Sequence, residues 1–272
     1  IKKNYAAMKT AFPTEGRRQR ILRSLHAGWP DASVPVNNAT TDINIEGLDQ
    51  DQYDELLDND TFGLLIRADF SNEDAWQTFL AKFQESEREM LDTLRSPPGE
   101  ENATSKSANG NGGESDDGSE AGDAGIPDSI VMVYNPSSTE ERARLTNISN
   151  LTALQLFNDA DVRPAIPPPP ETRTRYNPNN VLINKNGWQE VFSGKNLWIY
   201  DAKSAQDECV RVVAQSGDLY GTATGDSWRA RVSHISELQF NMACLDMKID
   251  FGGMDRWDPQ ERSRNLTEAT LL

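Results

Sequence analysis

The sequence predicts an α/β fold: a single three-layer domain with a mostly parallel sheet, plus a hairpin and disordered insertions. Three observations predict it. Apolar runs of strand length recur as GLLIR (63–67), SIVMVY (129–134) and NLWIY (196–200), and they do not alternate with polar residues. Unbroken apolar strands are buried on both faces, as in a parallel sheet covered by helices. After each run comes Asp or Asn, then Ser, then an acid three residues after the Ser: Asp69, Ser71 and Asp74; Asn135, Ser138 and Glu141; Asp201, Ser204 and Asp207. A Ser followed three residues on by an acid resembles a capping box, so each run is expected to lead into a helix. Finally, two stretches rich in Gly, Ser, acids or Pro leave three ordered blocks, about 40–96, 127–160 and 181–258, of which the first two are each too small to fold separately.

In chain order, the first element is a basic amphipathic helix with a linker, residues 1–39. Ile21, Leu22, Leu25 and Trp29 recur at helical spacing among Arg17, Arg18, Arg20 and Arg23, and Gly28 and Pro30 stop the helix. Its apolar stripe is expected to pack on the acidic remainder of the chain. Residues 40–258 form the α/β domain. Its first strand runs into a helix carrying Ala75, Trp76, Phe79, Leu80 and Phe83. Residues 97–125 have too little apolar surface to offset chain entropy and are expected to be a disordered insertion.

The second strand precedes a helix with Leu145, Ile148, Leu151 and Leu154, interrupted by Asn147 and Asn150. Residues 163–180 form a proline-rich loop with polyproline character. After Asp207 the β-branched CVRVVA suits a strand as well as a helix, and Val213–Trp228 carries hairpin signals at Gly217-Asp218 and Gly225-Asp226. Trp228–Val232 reads as a strand, and Ser233 to Met247 as a helix with Ile235, Leu238, Met242 and Leu245 on one stripe. Residues 259–272 are a C-terminal tail.

The composition narrows the function classes. With 43 acidic and 27 basic residues the formal net charge is −16, which disfavours unspecific binding to nucleic acid or anionic lipid. Hydrophobic residues make up 36% of the chain, low for a fully packed protein. No apolar run approaches the roughly 18 residues of a membrane span. Cys209 and Cys244 suit neither a disulfide framework nor a zinc spacing and are expected to be reduced, buried small side chains. The sequence assigns no metal ligands and no cofactor, and the expected location is the cytoplasm.

Catalytic motifs are not found. GTATGDS (221–227) lacks the Lys of a phosphate loop, and there is no nucleophile elbow or His-Glu-x-x-His. Of the two histidines, His26 lies on the basic helix and His234 at the start of the last helix. The pattern LLIRADFSNEDAW, followed by LWIYD and by WRARVSHISELQFNMACLDMKIDF, resembles an uncharacterised family of small acidic α/β domains, a domain of unknown function with an LL-R-DFS---AW motif. The resemblance covers about residues 60–95 and 195–255, is carried by Arg67, Asp69, Phe70, Ser71, Trp76 and Asp201, and implies the fold rather than an activity.

Asp69, Asn135 and Asp201 are expected at the carboxyl ends of parallel strands, where open α/β sheets take their ligands. Asx residues are also ordinary turn formers, so turn chemistry and ligand binding compete for them. The leading expectation is a non-enzymatic intracellular protein that meets a protein partner through the N-terminal helix or the proline tract. The alternative is an enzyme dependent on a small ligand or divalent metal, built on Arg67, Asp69, Asn135 and Asp201.

Overall fold

A computed structural model describes residues 2–30, 49, 51–95, 127–166, 179–217, 223–249 and 258–271. The expected insertion 97–125 and most of the proline-rich loop 163–180 lie outside the described residues. The chain begins with helices α1 (Lys2–Ala11), α2 (Arg17–Ala27) and the single turn α3 (Asp54–Leu57). Strand β1 (Gly63–Arg67), helix α4 (Glu73–Arg95) and strand β2 (Val131–Tyr134) follow. Next come α5 (Thr139–Leu145), α6 (Asn150–Phe157), β3 (Asp159–Pro164), β4 (Trp188–Ser193) and β5 (Asn196–Tyr200). The last elements are α7 (Ser204–Asp207), β6 (Cys209–Val213), β7 (Ser227–Arg231), α8 (Ile235–Cys244) and α9 (Pro259–Glu268).

The architecture is α/β. Five strands form one sheet in the order β2-β1-β5-β6-β7, and β3 pairs with β4 in a separate two-stranded sheet. The expectation of a mostly parallel sheet is corrected: β1 is parallel to β2 and β5, but β5–β6, β6–β7 and β3–β4 are antiparallel. The reason is the length of one connection. A parallel return needs a crossover of about a dozen residues or more. Only residues 201–208 join β5 to β6, and their helix is the single turn α7. The third copy of the strand-Asx-Ser-acid pattern therefore reverses the chain where the first leads into a full crossover helix. Strands β6 and β7 form the antiparallel pair signalled around Gly225-Asp226.

Both faces of the sheet are apolar, which explains the unbroken runs. Leu64 and Ile66 of β1, with Leu197 and Ile199 of β5, pack with Leu145, Leu151, Leu154 and Phe157 from α5 and α6. Leu65, Trp198 and Tyr200 face the other way, onto Trp76, Phe79 and Phe83 of α4 and Ile235 of α8. Gly63 opens β1 because a Cβ there would lie 2.6 Å from Gln239 Oε1. That buried amide accepts a hydrogen bond from Trp198 Nε1 at 2.8 Å.

Helix α2 packs on α6 and β3. Its arginines are engaged by acids of the same chain: Arg18 with Asp51 and Asp54, Arg20 with Asp49, and Arg23 with Glu15. Within residues 259–272, expected as a tail, α9 seals the start of α6. Glu261 Oε1 accepts from Asn150 N at 2.8 Å and Asn265 Oδ1 from Leu151 N at 3.1 Å, while Ser149 Oγ accepts from Thr152 N at 3.0 Å. Three N–H groups that a helix start leaves unpaired thus find acceptors.

Three local expectations are corrected. Helix α4 is capped by Asn72, whose Oδ1 accepts from Ala75 N at 3.0 Å, rather than by Ser71. The stretch from Glu141 to Leu156 divides into α5 and α6 at Asn147, which has φ of 53°. Ser138 does cap α5, accepting from Glu141 N at 3.1 Å, with Glu141 reaching back to it. Cys209 is buried, but Cys244 is exposed rather than buried.

Candidate binding site at the carboxyl ends of β1 and β5

Arg67 ends β1 and is only 1% exposed. A buried guanidinium must find acceptors or incur a large desolvation cost. Its Nε donates to the Asp69 carbonyl at 3.0 Å, and its Nη1 lies 3.5 Å from Asn135 Oδ1. Its Nη2 stands 2.8 Å from Glu73 Oε2 as an ion pair, without hydrogen-bond alignment. The guanidinium carbon lies 5.0 Å from the ring centre of Phe70 and 4.9 Å from that of Trp76, within cation–π range of both.

The structure brings Arg67 and Asn135 together but gives the two carboxylates separate tasks. Asp69 bonds back to its own turn, accepting from Ser71 N at 3.2 Å and Ser71 Oγ at 3.0 Å. Asp201 accepts from Lys203 N at 3.1 Å and Ser204 N at 3.2 Å. It is also ion-paired to Arg211 at 3.1 Å and Arg229 at 2.8 Å. Burial pushes the Asp201 carboxyl up, but Arg229 and Arg211 outweigh it and hold the group below the usual carboxylate range.

Three residues of this region escaped the list of candidates: Glu73, Trp76 and Tyr200. Trp76 and Tyr200 are both 0% exposed, and their rings meet edge to face at 4.9 Å. Trp76 Nε1 and Tyr200 Oη have no hydrogen-bond partner among the described residues. Trp198 differs, since its indole N–H is satisfied by Gln239, whereas Trp228 Nε1 and the Tyr5 and Tyr53 hydroxyls are likewise without a partner among the described residues. Burial raises the Tyr200 phenol above its ordinary pKa, and the Asp69 charge adds to that, so Tyr200 is a donor at neutral pH. Trp76 was legible as a core residue and Tyr200 as part of a strand. Nothing local in the sequence marks their polar atoms as unpaired.

The charged groups of the neighbouring cavity and the two histidines have partners within the chain. A cavity of about 280 Å³ beside Asp201 is lined by Lys203, Arg211, Asp258, Glu261 and Arg264. Within it Arg211 pairs with Asp201 and Glu261, and Lys203 Nζ lies 3.7 Å from Asp258. His234 is exposed, with Glu237 at 3.5 Å. His26 Nε2 contacts the buried Glu190 carboxylate at 2.5 Å and joins α2 to β4. Among the described residues no group of three or more His, Cys, Asp or Glu is arranged to hold a metal ion, and no helix is long and apolar enough to cross a membrane. Comparison with protein-family models, curated proteins and solved structures finds no match.

Proposed function

We propose that this is a non-enzymatic binding protein, and that it takes an acceptor group of its partner at the carboxyl ends of β1 and β5. One observation carries the reading: Arg67, Trp76 and Tyr200 lie buried against one another there, and Trp76 Nε1 and Tyr200 Oη have no acceptor among the described residues. Each buried, unpaired polar group costs about 1–3 kcal/mol, a cost that a bound acceptor would relieve.

The alternative, a metal- or ligand-dependent enzyme built on Asp69, Asn135 and Asp201, draws less support. Asp201 is neutralised by two arginines, whose charge opposes a cation, and Asp69 is committed to Ser71. We favour the strand-end site over the N-terminal helix as the contact surface, because the arginines of α2 are engaged within the chain. The same proposal has the protein working as one folded unit in the cytoplasm, without nucleic acid, in keeping with its net charge of −16.

Thermal-shift measurements with small anions and with divalent cations test the proposal, since a specific ligand raises Tm by mass action. A rise with an anion is the expected result. A rise with Mg²⁺ or Ca²⁺ that Asp69→Asn abolishes, with no response to anions, would overturn it.

A further inference from the structure

Resting on that binding reading, we infer that the strand-end site recognises a carboxylate, and that the Glu73 side chain is its internal stand-in. Glu73 lies in the first turn of α4, and its side chain is 58% exposed. Apart from Arg67 it is held by Gln77, whose Nε2 donates to Oε1 at 2.7 Å. The carboxylate now facing Arg67 Nη2 thus comes from the solvent side on a mobile type of side chain, while Arg67, Trp76 and Tyr200 are buried. Arg67 first, then Gln77, keeps Glu73 more acidic than an ordinary glutamate, so it is charged at neutral pH.

The chemistry of the donors selects the ligand. A guanidinium fork matches the planar, two-oxygen geometry of a carboxylate, and a carboxylate can take further N–H and O–H donors on its remaining lone pairs. Trp76 Nε1 is only a donor, and Tyr200 Oη has a proton to give. Phe70 and Trp76 both lie against the guanidinium and restrict its orientation. A phosphate dianion is less suited: the site has one buried arginine, Asp69 stands beside it, and the whole chain is strongly acidic. A ligand carboxylate would displace Glu73 into water, where that side chain is already largely exposed.

The test uses the full chain labelled with ¹⁵N. The indole N–H signal of Trp76 is identified among the six tryptophans by its loss in Trp76→Phe. It is then followed during titration with sodium succinate, with a synthetic Glu/Ala peptide blocked at both ends, and with inorganic phosphate, at ionic strength held constant with chloride. Glu73→Ala, at an exposed position, removes the competitor without opening the core. The expected result is a saturable shift with succinate or with the peptide, reached at about tenfold lower concentration in Glu73→Ala, a change of about 1.4 kcal/mol. Tyr200→Phe keeps the ring and should weaken the response.

A response to succinate identifies a free small acid as sufficient, and a response to the peptide alone identifies an acidic side chain borne on a partner. Equal affinities in wild type and Glu73→Ala would overturn the stand-in role. A shift with phosphate and with neither carboxylate would overturn the carboxylate assignment but leave the binding reading standing. No shift with any of the three, in either protein, would overturn both.

Discussion

Arg229 Nη1 lies 2.8 Å from Asp201 Oδ2, and the pair joins the end of β5 to the centre of β7 across the intervening β6. The same guanidinium meets Asp207 Oδ2 at 2.8 Å and donates to the Cys209 carbonyl at 3.0 Å. It therefore holds both ends of the one-turn α7 reversal. That reversal makes the sheet mixed, and one buried arginine braces the turn at which the sheet changes direction.

Removing the charge of Asp201 should be costly. Asp201→Asn leaves Arg211 and Arg229 without part of their compensation inside the fold, and breaking a buried pair costs about 3–5 kcal/mol. Urea denaturation at pH 7 checks this. The folded pKa of Asp201 is lowered, so its contribution is fully present above its ordinary value of 3.8 and is lost as pH falls through the lowered value. The difference between wild type and Asp201→Asn should shrink in that acid window.

Asp226 should behave in the opposite sense. It is 1% exposed, and burial pushes its carboxyl up from 3.8 to about 6, although Arg262 opposes the shift. The folded protein then holds the proton more tightly than the unfolded chain between those values. Stability should fall as pH rises from 3.8 to about 6 and stay level above. Asp226→Asn should flatten that part of the profile. An unchanged slope in melting curves from pH 4 to 7 would contradict the assignment to this residue.

The helix starts separate what the sequence shows from what it hides. The pattern Asp69-Phe70-Ser71-Asn72 offers two capping side chains, and local spacing cannot rank them. Asp69 accepts from Ser71, which leaves Asn72 to cap α4. Asn72→Ala should cost about 1 kcal/mol and Ser71→Ala less than about 0.5 kcal/mol. Equal losses in chemical denaturation would mean that both side chains serve the helix.

Elements with strong local signals were legible: the apolar runs of β1, β2 and β5, the stripe Trp76-Phe79-Phe83 of α4, and the Ser138 cap of α5. Strand direction was not, because it depends on the space left by the short connection 201–208. The candidate site was legible only as residue types, for a similar reason. Arg67, Asp69, Asn135 and Asp201 stand at strand ends as residue types suited to ligands. The unpaired atoms of Trp76 and Tyr200 arise only when α4 and β5 meet. Helix α9 was missed because its buried residues are the polar Glu261 and Asn265, which follow no apolar stripe.

Trp76 offers the clearest measure of that packing. It lies between Phe79, 5.8 Å away and stacked, and Tyr200, 4.9 Å away and edge-on, with the Arg67 guanidinium against its ring. Trp76→Ala should cost about 3–5 kcal/mol, and a loss below about 1 kcal/mol would be incompatible with its burial.

Lys195 provides a final test, of a cation held without a carboxylate partner among the described residues. Its ammonium lies 2.7 Å from both the carbonyl and the Oδ1 of Asn59, 2.5 Å from the Thr61 carbonyl and 3.0 Å from Thr61 Oγ1. These oxygens belong to the turn before β1, and Lys195 immediately precedes β5, so the ammonium ties the entrances of two paired strands together. Burial lowers the Lys195 pKa, and the nearby acids Asp60 and Asp58 offset part of that. Lys195→Met keeps the aliphatic stem but removes the hydrogen-bond donors, leaving several oxygens with fewer partners. A loss of about 2 kcal/mol is expected in urea denaturation. Amide hydrogen exchange should speed up at Phe62 and Gly63, whose N–H groups bond to the Ile130 carbonyl. Lys195→Arg restores the charge but spreads the donors over a wider planar fork, so it should recover only part of the loss. Full stability in Lys195→Met would show that the turn holds its shape without the ammonium.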